Sequence, residues 1–132
     1  EEFGTFQGLN VIEGCVRKFP NSNAQGLPMR VPQIGWNKIS PNPRGPGWAN
    51  TPLFENAPGV FMYFVHSFYC KPQNEVDALT LTSYEGFEYC SGLMRKNVFA
   101  TQFHPEKSAR EGLKIYRNWA DLVKKSEGSD RS

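Results

Sequence analysis

The sequence predicts an α/β fold, a mixed sheet built from most of the chain and followed by one C-terminal helix. Three observations predict it. Runs rich in β-branched and aromatic residues recur between residues 9 and 103, separated by clusters of Gly, Pro and Asn. Beyond them, Leu113, Tyr116, Trp119 and Val123, with Ile115 and Leu122, fall at helical spacing on one stripe. The length of 132 residues, 39% hydrophobic and 14% aromatic, suits one globular domain with a modest core.

In chain order, residues 1–8 are polar, open on two acids without an initiator methionine, and read as the end of a helix whose body is absent. Residues 9–19 alternate tolerably and predict a strand with a bulge at Gly14. Residues 20–29 are loop by composition. Residues 31–39 predict a strand that Pro32 confines to a beginning or an edge, with Gly35 beside Trp36. The Pro-, Gly- and Asn-rich residues 40–58 predict a long surface loop pinned to the body by Leu53 and Phe54. Residues 59–69 are the most apolar run and predict a central strand.

Residues 77–84 and 87–95 predict a hairpin turned by Glu85-Gly86. Residues 97–103 predict a short buried strand, stopped by Pro105, which has no N–H for the ladder. Ser108 to Glu111 matches a capping box that opens a helix over residues 109–125, with Lys124 and Lys125 suited to its C-terminal dipole. The folded unit is expected over residues 1–125 and a disordered tail over 126–132.

The net charge of +2, with scattered Lys and Arg, argues against nucleic acid as the partner. Cys15, Cys70 and Cys90 form no metal-ligand spacing and no disulfide framework, so no metal is expected. No apolar run approaches membrane-spanning length and the first residues are not a signal peptide; a soluble, reduced, cytoplasmic protein is the expectation.

The chemistry concentrates at His104 and Glu106. His104 sits where strand gives way to loop, and residues two apart in extended chain project to one side. A carboxylate beside an imidazole fixes its tautomer and stabilises the imidazolium, the base-and-orienter half of a nucleophilic triad. An isolated His-Pro-Glu also fits an ordinary strand-end histidine with a solvated carboxylate. His66-Ser67 invites a hydrolase reading, but adjacent strand residues face opposite ways and no nucleophile-elbow motif accompanies Ser67.

The longer string Thr101-Gln102-Phe103-His104-Pro105-Glu106-Lys107-Ser108 resembles the His/Glu segment of the class I (triad) glutamine amidotransferases. Lys107-Ser108, together with Val31-Pro32-Gln33-Ile34-Gly35-Trp36-Asn37, is most similar to the HisH group, the glutaminase subunits of imidazole glycerol phosphate synthase. The resemblance implies glutamine hydrolysis to glutamate and ammonia, with His104 and Glu106 in the triad and no cofactor. It implies that ammonia passes to a HisF-like cyclase with a (β/α)8 barrel in histidine biosynthesis. It also implies a glutamine pocket touched by Glu2, Ser67 and Phe68, and a partner surface holding Trp36, Asn37, Tyr63 and Lys107. A different aminating synthase and a non-catalytic binding remnant are the competing expectations.

Such chemistry needs a cysteine on a tight strand-to-helix elbow, where the helix N-terminus acidifies the thiol. Cys15 and Cys90 lie within expected strands and Cys70 at a strand end, so none fits. The resemblance matches only the later part of the family's length, and the expectation is an N-terminally truncated fragment, inactive alone, whose interrupted sheet leaves an edge prone to self-association.

Overall fold

The computed structural model describes residues 7–130. Strands β1 (Gly14–Lys18), β2 (Gln33–Pro41), β3 (Val60–His66), β4 (Phe68–Pro72), β5 (Ala78–Tyr84), β6 (Phe87–Arg95) and β7 (Val98–Thr101) precede helix α1 (Ala109–Asp130). The sheet runs β1-β4-β6-β5-β2-β3, with β7 paired to β6. The predicted α/β composition is therefore present, and every pairing among these strands is antiparallel.

The β5–β6 hairpin forms as its sequence predicts. Tyr84 pairs with Phe87 across a two-residue turn, and Glu85 and Gly86 both take positive φ, 49° and 83°. The remaining hydrogen bonds of that turn tie down the 20–30 loop, because Arg30 N donates to Glu85 Oε2 and Asn23 Nδ2 donates to Glu85 O.

Four elements differ from expectation. Residues 9–13 are not strand, and Leu9 is 95% exposed. The ladder with β4 ends at Gly14 opposite Pro72, and one further bond, from Gln73 N to Glu13 O at 2.9 Å, closes it. The run 59–69 breaks at Ser67 into β3 and β4, which belong to distant parts of the sheet. There β3 is the end strand and not the centre, with Met62 and Phe64 fully buried while Phe61 and Val65 are exposed.

Ser108 and Glu111 form no capping box. Ser108 Oγ instead accepts from Tyr63 N and donates to His104 O, and Glu111 accepts from Asn56 and Lys114. The tail expected over 126–132 is helical as far as Asp130; Arg131 and Ser132 lie outside the described residues.

The core holds Ile39, Leu53, Met62, Phe64, Phe103 and Ile115, with an aromatic hub at Phe19 whose ring lies 5.0–5.9 Å from those of His66, Tyr69, Tyr84, Phe87 and Tyr89. The 42–58 loop is pinned by Trp48 and Leu53, whereas Phe54 is exposed. Trp48 Nε1 donates to Leu79 O, and Asn118 Nδ2 on α1 donates to Pro52 O, so loop, sheet and helix lock together.

A 310 turn, Pro105–Lys107, joins β7 to α1 and lies directly on Gly112. A Cβ at Gly112 would collide with the Pro105 carbonyl. Gly112→Ala therefore sets a gain of about 1 kcal/mol in helix propensity against a backbone collision costing about 3 kcal/mol. The collision wins: the denaturant midpoint should fall without a change in m-value, and an unchanged or raised midpoint would contradict this packing.

Candidate functional site

β7 and the 310 turn carry His104 to the sheet's end, where Tyr63 of β3 receives it. His104 N donates to Tyr63 O at 3.0 Å, and Ser108 Oγ bridges Tyr63 N (3.0 Å) and His104 O (2.6 Å). This brace fixes the backbone on both sides of the imidazole.

His104 Nδ1 lies 2.8 Å from Glu106 Oε1. A carboxylate only accepts, so Nδ1 carries a proton, and in the neutral ring this tautomer leaves the lone pair on Nε2. The Glu106 carboxyl is held below its ordinary range, first by its own backbone N–H, then by His104 and more weakly by Tyr116. The pair opens on a cleft of about 480 Å³ lined by Phe99, Phe103, Ile115, Tyr116 and Trp119, with Phe99 stacked on Trp119 at 5.9 Å. Its walls offer hydrophobic contact and its rim a base with an oriented acceptor nitrogen.

Trp36, Tyr63 and Lys107 form a continuous row. The Trp36 and Tyr63 rings are 6.0 Å apart, edge to face, and Lys107 Nζ sits 6.0 Å from the Tyr63 ring centre. Ile34, Val65, Phe61 and Lys38 extend the same outward face of β2 and β3. Asn37 alternates to the other face of β2, where its Nδ2 donates to Ser83 O, so it stands apart from the row. Ser67 and Phe68 occupy the β3–β4 bend with their carbonyls engaged, by Phe19 N and His66 Nδ1. Glu2 lies outside the described residues.

The three cysteines are unpaired and sit within β1, β4 and β6, none of them at a strand-to-helix elbow or on the His104 cleft. Burial pushes the Cys70 thiol up and the Cys90 thiol to about 12, the opposite of an activated nucleophile. Among the described residues no cluster of acids, histidines and cysteines could hold a metal ion, and no helix is long and apolar enough to cross a membrane.

The description glutamine amidotransferase class-I matches residues 10–121. The chain belongs to the class-I glutamine amidotransferases. It is 42% identical over 122 residues to the imidazole glycerol phosphate synthase subunit HisH of Geobacter sulfurreducens, which covers 92% of this chain and 56% of that protein. It is 40% identical over 124 residues to subunit HisH 1 of Methanococcus maripaludis, covering 93% and 55%. The chain thus spans about half the length of these curated relatives. A crystal structure of a GMP synthase-type protein from Thermoplasma acidophilum shares the fold, with a TM-score of 0.61 at 19% identity over 90% of this chain and 53% of the other.

Sequence reasoning missed the Ser108 brace, the Tyr116 hydroxyl and a network around His66. Serine read as a helix cap and Tyr116 as one of an apolar stripe, and neither carries a local signal for its partner. His66 Nδ1 donates to Phe68 O at 2.7 Å, while Nε2 lies 3.1 Å from both Gln33 Oε1 and Tyr89 Oη. Desolvation lowers the His66 pKa, opposed by the Phe68 carbonyl and aided by the nearby His104.

This shift fixes the sign of a pH effect. The unfolded chain takes up a proton near the ordinary histidine value of about 6.5, whereas the folded chain resists until lower pH. Stability should be full above that value and decline as pH falls towards the depressed folded-state pKa. Urea unfolding of wild type and His66→Gln across that window checks it: the variant should be weaker at neutral pH and flatter on acidification. Parallel pH curves would exclude His66 as the source.

Proposed function

We propose that this chain is the acid–base and partner-facing part of a HisH-type glutaminase, which hydrolyses glutamine to glutamate and ammonia and delivers the ammonia to a HisF-like cyclase barrel in histidine biosynthesis, in the cytoplasm. The observation that carries this reading is the 2.8 Å contact between His104 Nδ1 and Glu106 Oε1 in a class-I amidotransferase chain. The similarity to subunits named HisH supports this synthase over another.

In this mechanism Glu106 keeps the proton on Nδ1, and Nε2 accepts the thiol proton of a cysteine nucleophile. The thiolate attacks the side-chain amide carbon of glutamine. His104 returns the proton to the amide nitrogen, the C–N bond breaks and ammonia leaves. Water, deprotonated by His104, then cleaves the thioester to glutamate. The nucleophile is not Cys15, Cys70 or Cys90, since the half-buried Cys70 and the buried Cys90 have raised thiol pKa values and all three sit within strands. The 132-residue chain alone is therefore inactive as a glutaminase. The backbone at Ser67 and Phe68, with Glu2, contacts glutamine, and Trp36, Tyr63 and Lys107, with Asn37 at their margin, meet the cyclase, where Lys107 pairs with a carboxylate near the ammonia passage.

Glutamate release from glutamine, measured with and without a cyclase, tests the reading. The chain alone should give no turnover. In the assembled synthase, His104→Asn should cut turnover by several orders of magnitude, and Lys107→Ala should weaken cyclase binding or glutamine-coupled synthesis. Turnover of the chain alone, abolished by replacing one of its three cysteines, would overturn the assignment.

A further inference from the structure

The Glu106 carboxylate has two oxygens, and His104 uses only one. The second, Oε2, accepts from the Tyr116 hydroxyl at 3.3 Å. Tyr116 stands on the second turn of α1, with its neighbour Ile115 buried in the core and its own ring half exposed on the wall of the His104 cleft. Position 116 reads in the sequence as one more apolar residue of a helical stripe, yet its hydroxyl reaches back across the 310 turn to the carboxylate.

A half-exposed glutamate side chain has several rotamers within reach, and few of them present Oε1 to the imidazole. Donors on both oxygens favour the one that does. Partial burial, then the Glu106 charge, push the Tyr116 phenol above its ordinary pKa, so it remains a donor through neutral pH.

We propose that Tyr116 is a positioning residue: its hydroxyl clamps Glu106 Oε2, which keeps Oε1 on His104 Nδ1 and leaves Nε2 as the acceptor of the nucleophile's proton. The positioning role rests on the acid–base reading of His104 and Glu106, whereas the clamp is measurable without it. No bond to the substrate is involved, so the effect belongs in kcat and not in KM.

The clamp is read by titrating the Glu106 side-chain carboxyl carbon by NMR in the 132-residue chain, in Tyr116→Phe and in Tyr116→Leu. A donor to the charged form lowers carboxyl proton affinity, so its removal should raise that affinity about three-fold in both variants. The His104 ring nitrogens should lose part of their Nδ1–H signature in step. An unchanged Glu106 midpoint in Tyr116→Phe, or a change confined to Tyr116→Leu, would overturn the proposal by assigning the effect to ring packing. In the assembled glutaminase–cyclase complex, Tyr116→Phe should lower kcat about three-fold with KM unchanged, and an unchanged kcat would refute the positioning role. Undiminished turnover of His104→Asn would refute the acid–base reading itself, with the Glu106 midpoint still judging the clamp.

Discussion

The structure depends on one short brace. Tyr63 sits on the outer strand of the sheet, and both of its backbone hydrogen-bonding groups are taken by the turn that carries His104. One of those bonds is backbone to backbone. The other runs through Ser108, a 1% exposed side chain whose hydroxyl accepts from Tyr63 N and donates to His104 O. The hydroxyl stands in for a neighbouring strand that the turn is too short to supply. Leaving such a buried donor and acceptor unsatisfied costs about 1–3 kcal/mol, a large share of the stability of a small domain.

Tyr63 also joins two properties that otherwise look separate. Its backbone fixes His104, and its ring sits between Trp36 and Lys107 on the outward face of β2 and β3. Lys107, three residues beyond His104 within the same 310 turn as Glu106, tightens the link. The His104 turn and the outward face of β2 and β3 thus share one residue.

Local signals in the sequence located the strands and the helix well, and long-range ones poorly. Glu85-Gly86 announces its own turn because both residues must accept positive φ. His104 and Glu106 are close in sequence, so their pairing was legible, although the 310 turn Pro105–Lys107 and not an extended backbone brings them together. The strand at residues 59–69 misled because apolar residues on both faces read as burial on both faces, whereas one face of β3 is open. Its break at Ser67 depends on the contact with Phe19, nearly fifty positions earlier, which no local pattern encodes. Ser108 followed the capping-box pattern and was captured by a stronger tertiary partner instead. Tyr116 was read by its ring, and its hydroxyl does the unexpected part.

The brace is tested most directly by amide hydrogen exchange of Tyr63 and His104 in wild type and Ser108→Ala. Removing the hydroxyl should cut protection at these two amides roughly ten-fold or more, while the amides of the β5–β6 hairpin keep theirs. Unchanged protection at Tyr63 and His104, or an equal loss spread across the whole sheet, would contradict the claim that this single hydroxyl holds the His104 turn to β3.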